Sequence, residues 1–375
     1  MPARSSNLES RIAELRADVQ SDRLSMSIGE LAGLYERGEL DIHPKFQRIL
    51  RWSVEQKTKL IESLLLRIPI PPIFVSQSID GLWDVVDGVQ RLGTIFEFLG
   101  ILKGSDEVIL PPLVLTRTVL VPELEGVRFE TGVKKSDAFS QAQRLDFRRT
   151  RLDLHIILKE STPSSKYELF ERLNTGGSIA SPQEVRNCVL VWMNESRYDW
   201  MLRLCENPHF QSVTPLSERL IKQQFRMELL LRFLVLYRVL VHDLRGIRDL
   251  SEFLNDRNRE FASDQSVDLQ QLETVFTKTF ALLDETLGGD VFRKYEVDNK
   301  RHSGAFLISS FEAISMGVAH NIGHWVKEAS AASKLKTKAK TLWSREEFLS
   351  NIGIGISSSA RLLHTIPFGR KHFSV

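Results

Sequence analysis

The chain has 375 residues, enough for two domains with their own cores, and its 42% hydrophobic and 26% charged residues are those of an ordinary folded protein. A net charge of only +2 excludes a global basic field, so affinity for nucleic acid must come from local patches. Two cysteines, Cys188 and Cys205, exclude a disulfide framework and zinc-finger spacing, and their apolar helical surroundings suit a reducing cytoplasm.

The opening MPARSSNLESRIAEL lacks the apolar core of a signal peptide. The longest apolar run, residues 229–236 broken by Arg232, is too short and too charged to cross a bilayer. A cytoplasmic protein without a membrane partner is therefore expected. Leu8, Ile12, Leu15 and Val19 share one helical stripe, which makes residues 1–24 a helical packing arm. Ser27 and Glu30 have capping-box spacing for a short helix through Tyr35 that stops near Gly38. An extended stretch follows, DIHPKFQRILRWS, in which Pro44 blocks helix and Gln47, Arg48, Arg51 and Trp52 supply polar and aromatic groups.

Ser53 and Gln56 repeat the capping-box spacing, and the next helix should bury Leu60, Ile61, Leu64 and Leu65 before ending at Ile68-Pro69-Ile70-Pro71-Pro72. Residues 73–75 read as a strand, Asp80-Gly81 as a hairpin turn, and residues 82–86 as a second strand. Asp87-Gly88 is then a sharp turn into a helix whose apolar face carries Leu92, Ile95, Phe96 and Leu99. Strand, tight turn and helix N-terminus together form a natural phosphate site, with backbone amides, the positive helix end and the donor fork of Arg91. Asp87 suits an anion site only if it binds a metal ion or orients a water. The same residues also fit a plain corner in which Asp87 caps the helix and Arg91 forms a surface ion pair.

Beyond Gly100 the pattern is irregular, with strands or sheet margins expected at 113–120, 127–129 and 152–158. Lys134, Lys135, Arg144, Arg148, Arg149 and Arg151 outnumber Asp137 and Asp146, and form either a solvated face or a nucleic-acid contact through Arg148, Arg149 and Arg151. A helix opening at Pro163 should end at Asn174-Thr175-Gly176-Gly177, and Ser181-Pro182-Gln183-Glu184 is a strong helix start. From there the pattern is nearly all helical, at about 184–206, 217–242, 247–260, 267–287, 303–329 and 345–364. Residues 287–290 and 334–340 are the candidate linkers. Arg219, Lys222 and Arg226 share a helical face able to meet phosphate or an acidic partner, and Glu228 and Arg232 should make a local pair of small value. His320 and His324 stand at i and i+4 on a helix, but without the glutamate of a zincin pattern or a third ligand, so no zinc is expected. The sequence holds no Walker loop, no nucleophile elbow and no nuclease constellation.

Four stretches, FQRILRW (46–52), LIESLLLRIPIPPIFV (60–75), VVDGVQRLGTI (85–95) and FERLNTGGSIASPQEVRN (170–187), resemble in order the N-terminal family of GmrSD-type restriction proteins. That family lies within the ParB/sulfiredoxin superfamily and has the signature Asp-Gly-Gln-Gln-Arg. The resemblance implies an α+β protein: a ParB-like α/β nucleotide-binding core, placed at 25–162, followed by a mostly α-helical domain at 163–375. It also implies binding and hydrolysis of a nucleoside triphosphate with Mg2+, in bacterial defence against foreign or modified DNA.

Carried over, the motif falls on Asp87, Gly88, Gln90 and Arg91, with Val89 in place of the first glutamine. Phosphoryl transfer asks for positioned charge, so Arg91 would hold phosphate oxygens, Gln90 would orient water or phosphate, and Asp87 would bind Mg2+ or polarise the water. Gly88 would let backbone approach closely. Arg48 offers a second phosphate ligand or a core-edge ion pair, and Gln47 a contact to ribose or base. Arg172 and Asn174 either close over the nucleotide or simply build a turn. Trp52 reads as a core aromatic. Three functions follow: an NTP-hydrolysing regulator of a defence or DNA-processing system, a non-hydrolysing sensor or DNA-binding module working with a partner nuclease, or a stand-alone DNA nickase. An oligomer is compatible with each.

Overall fold

The computed structural model describes residues 8, 9, 12, 20–42, 52–104, 107–130, 137–162, 181–353 and 355–375, the side chain of Trp192 excepted. The chain divides into two compact units, 1–179 and 180–375. Of the N-terminal arm, Leu8 and Ile12 are exposed, and Leu15 and Val19 lie outside the described residues.

The first unit is built on a five-stranded mixed sheet. Its elements are β1 (Ser21–Ser27), α1 (Ile28–Glu36), β2 (Leu40–Asp41), α2 (Val54–Leu65), β3 (Ile73–Gln77), β4 (Trp83–Asp87), α3 (Val89–Leu99), α4 (Gln141–Arg149) and β5 (Arg151–Ile157). The strand order is β1-β5-β3-β4-β2, with β1 antiparallel to β5, β5 parallel to β3, β3 antiparallel to β4, and β4 parallel to β2. One face is aliphatic: Ile73, Val75, Val85, Leu154 and Ile156 share a core with Ile28 and Leu31 of α1, Ile61 and Leu64 of α2, and Leu92, Ile95 and Phe96 of α3. Phe98 extends that core into a ring cluster, edge-on to Phe129, Phe139 and Phe147 at 5.2–5.5 Å. Both expected capping boxes form, Ser27 with Glu30 and Ser53 with Gln56, and Ser140 with Gln143 adds a third.

Residues 113–120 and 127–129 are not strands. The Leu115 amide donates to the Val127 carbonyl and the Thr116 amide to Thr58 Oγ1, so these backbone groups are satisfied locally and by a hydroxyl rather than by a ladder.

The second unit is helical: α5 (Pro182–Cys205), α6 (Pro208–Val213), α7 (Glu218–Lys222), α8 (Phe225–Arg238), α9 (Leu250–Ser263), α10 (Leu269–Leu287), a hairpin of β6 (Lys294–Glu296) and β7 (Arg301–Ser303), then α11 (Ile308–His320), α12 (Ile322–Trp325), α13 (Ala331–Thr341), α14 (Glu346–Leu349) and α15 (Ser358–His372). Its core gathers Phe210, Phe233, Phe276, Phe280 and Phe311. Several expected helices are divided. Gln224, left-handed at φ 59°, separates α7 from α8; the hairpin occupies what reads as the approach to α11; and residues 334–340, a candidate linker, lie within α13. No helix of the described residues is long and apolar enough to cross a membrane.

Candidate functional site

The corner between β4 and α3 concentrates the motif. Register runs Ser76 with Asp84 and Val75 with Val85, then jumps to Phe74 with Asp87, so Val86 is an extra residue at a bulge. A bulge bends its strand and re-aims the side chain that follows it, here Asp87. Gly88 then takes φ 106°, and a Cβ there would run into Ile73 Cδ1 in the fully buried core. Only glycine fits both demands.

Gly88 is also the N-cap of α3, and no side chain caps this helix. By contrast α1, α2 and α4 each begin with a serine capping box. The first turn of α3 therefore begins without a hydroxyl or carboxylate at its N-cap and carries the positive end of the helix.

Arg91 is 8% exposed. Its Nη2 donates to Asp87 Oδ2 at 2.6 Å, and its Nη1 donates to the carbonyls of Pro71 and, at 3.2 Å, Pro72. Those carbonyls lie just before β3, outside any strand ladder, which leaves them open to a side-chain donor. The pair is therefore no surface ion pair: the guanidinium is internal while the Asp87 side chain stays 34% exposed. Gln90 Oε1 accepts from the Trp52 amide at 3.3 Å, tying the start of α3 to the residue that follows Gln47, Arg48 and Arg51 in the chain. Trp52 itself packs, half-buried, against the core of its unit. Val89 is 3% exposed and belongs to the same core, so position 89 faces inward. Gln47, Arg48, Arg172 and Asn174 lie outside the described residues.

Asp87 is the candidate metal ligand. Among the described residues no three His, Cys, Asp or Glu side chains gather into a metal-holding group. Mg2+ on a nucleotide needs only one or two carboxylates, the remainder being phosphate oxygens and water. His320 and His324 do not share a helix, because α11 ends at His320 and Asn321 interrupts the turn before α12.

The basic residues are dispersed. Arg148 pairs with Glu130 at 3.4 Å and lies over the Phe129 ring, whereas Arg149 and Arg151 line a cleft of about 380 Å³ with Arg67, Ile68 and Asp146. Arg219 and Lys222 sit on α7, but the break at Gln224 takes Arg226 off their face; Arg226 turns inward and donates to Thr214 Oγ1 and to its carbonyl.

A polar cluster in the second unit has no counterpart in the sequence reading. Gln183, Arg186 and Asn187, on the first turns of α5, are 1–2% exposed. Arg186 reaches Asn255 Oδ1 at 3.3 Å, Ser251 Oγ at 3.4 Å and Glu228 Oε2 at 3.6 Å, while Gln183 donates to Asn187 Oδ1 at 2.8 Å. Glu228 and Arg232 do pair, at 2.7 Å, but internally: Arg232 continues to Glu312, which is fully buried and also held by Arg361 at 2.8 Å. The available signal was polar residues at i, i+3 and i+4 at the head of a helix, just before the apolar run at 188–192.

Residues 28–191 match the family model described as GmrSD restriction endonuclease, N-terminal domain. No curated protein and no solved structure matches the chain. The matched stretch runs from the start of α1 through the bulge and the Gly88 corner to the first half of α5, and over it the chain is similar to the N-terminal domain of a restriction-related family.

Proposed function

We propose that this chain is a nucleotide-dependent regulatory component of a bacterial restriction or defence system, and that a nucleoside triphosphate with Mg2+ binds at the β4–α3 corner. The observation that carries the reading is the α3 N-terminus: it begins on a left-handed glycine, bears no side-chain cap, and lies directly beside a part-exposed carboxylate and a fixed guanidinium. Phosphate oxygens would take the first-turn amides. Among the described residues three acceptors meet the five N–H donors of Arg91, so its fork can also serve phosphate. Asp87 would hold Mg2+ or polarise the attacking water, with Gln90 orienting it. Gln47 and Arg48 would reach the nucleotide from the segment before Trp52, and Arg172 and Asn174 from the segment before α5.

The burial of Val89 supports turnover, since an inward position removes no group from the ligand side. A non-hydrolysing sensor is favoured by a different observation. One oxygen of Asp87 is already engaged by Arg91, which leaves that oxygen less available to a metal ion or a water. In either case DNA cleavage would fall to a partner nuclease, and supercoiled plasmid should stay intact with this protein, Mg2+ and nucleotide alone.

Mass spectrometry of co-purified nucleotide, followed by phosphate release with each NTP, tests the proposal. Bound nucleotide with release is expected; bound nucleotide without release selects the sensor. Asp87→Asn should retain binding and lose at least about tenfold in release rate, as expected for a group acting on the transition state. An unchanged rate would remove Asp87 from the chemistry, and no detectable binding of any NTP would end the proposal.

A further inference from the structure

The sheet face opposite the aliphatic core carries an unusual row, next to Ser76 and Ile157, which lie on that same face and are buried. Register aligns Arg23 of β1 with His155 of β5, His155 with Phe74 of β3, and Phe74 with Asp87 of β4. The residues that alternate with them, Ile73, Val75, Leu154 and Ile156, are aliphatic and buried in the core. The outward row is instead a guanidinium, an imidazole and a phenyl ring, all planar groups. The Phe74 and His155 rings lie 4.7 Å apart, tilted by 59°, and both are partly buried, with the exposed Arg23 beyond them. Burial and the nearby Arg23 charge push the His155 imidazole below its usual range, while Asp153, on the same face, pulls the other way.

We propose that Phe74 and His155, with Arg23 at their outer edge, form the platform on which the base of a nucleoside triphosphate stacks while its phosphates occupy the Gly88 corner. This rests on the corner binding phosphates. Adjacent strands are about 4.8 Å apart, so His155 stands two spacings, about 10 Å, from Asp87. That is the reach from a base through its ribose into the phosphate chain. Every base has a π face, and aromatic rings and guanidinium planes bind it with little regard for its hydrogen-bonding edge. The platform therefore accounts for affinity for the nucleoside, and it predicts weak discrimination among bases.

The two halves of the site separate experimentally. Calorimetry with Mg2+ would compare ATP, GTP, CTP and UTP with inorganic triphosphate, which has no base. The wild-type protein should bind the nucleotides about tenfold or more tighter than triphosphate, the scale of one or two stacked contacts. Phe74→Leu and His155→Leu should each weaken nucleotide binding by about tenfold and leave triphosphate binding unchanged. Equal affinity of the wild-type protein for triphosphate and nucleotides, or variants that keep the full nucleotide preference, would overturn the platform while the corner stands. If neither probe binds, both fall. Because β3 and β5 variants can lose their fold, photocrosslinking of the wild-type protein with 8-azido-ATP gives a second readout: label on residues 73–77 or 151–157 is expected, and label confined elsewhere would overturn the assignment.

Discussion

Arg91 is an internal cation whose partners come from two directions, a carboxylate four residues earlier and carbonyls about twenty residues earlier. Removing it would leave a partly buried charge and two polar carbonyls unmatched. Breaking a buried pair costs about 3–5 kcal/mol, and the exposure of Asp87 reduces this, so Arg91→Ala should lower stability by about 2–3 kcal/mol. Urea denaturation would measure it. A loss below about 0.5 kcal/mol would show the contacts to be incidental. Arg91→Ala is for the same reason a poor probe of nucleotide affinity unless its fold is checked first. The motif was legible because its members are consecutive, so that strand, turn and helix signals overlap within a few residues. The burial of Arg91 was not legible, since a charged residue on a first helical turn reads as solvated; the acceptors that hold it lie in a proline stretch otherwise readable only as a helix stop.

At the scale of elements, α11 and α15 meet backbone to backbone. A Cβ on Gly317 would run into the carbonyl of Gly369 and lie 2.7 Å from Phe373 Cδ2; one on Gly369 would run into the carbonyl of Ala313. Alanine in place of glycine stabilises a helix interior by up to about 1 kcal/mol, but overpacking against a fixed backbone costs about 3 kcal/mol or more, so the clash decides the sign. Gly317→Ala should therefore lower the melting temperature by several degrees in a calorimetric scan, and a rise would mean that the helices separate at little cost. The elements that the sequence revealed are those with self-contained signals: the capping boxes at Ser27, Ser53 and Ser181, and the turns at Gly81 and Gly88. The elements it obscured depend on distant packing. Pro367 suggests a helix end near residue 364, yet α15 continues through it to His372, held against α11. Gln224 carries no glycine signal for its left-handed conformation, and a three-residue hairpin offers too short an alternation to be seen.

For the molecule as a whole, acid is the condition to which the second unit responds. Burial lowers the pKa of both His302 and His372; the ring nitrogens of His302 are buried, and His372 Nε2 lies 2.8 Å from the Lys338 carbonyl. A histidine whose folded pKa is depressed takes up protons more readily when unfolded. Its contribution is intact above the unfolded value of about 6.5 and is lost as pH falls from there through the folded value. Melting temperature should consequently drop between pH 7.5 and pH 5.5, and His372→Gln should reduce that drop. A flat profile would show that neither imidazole stays neutral in the fold.

The long helix α5 contains one residue with non-helical torsions, Asn194, at φ −162° and ψ 85°. Its Oδ1 accepts from the Arg197 amide at 3.2 Å and from Ser196 Oγ at 2.8 Å, and its Nδ2 donates to the Ala262 carbonyl. Asn194 thus starts a fresh helix inside what looks like a continuous rod, three residues after the family match ends. Such a joint uncouples twist: the rotational phase of everything beyond it is set anew, independent of the turn that carries Gln183 and Arg186. The side chains of residues 195–205 therefore take their facing from the second segment alone, and a change of phase there leaves Gln183 and Arg186 where they are.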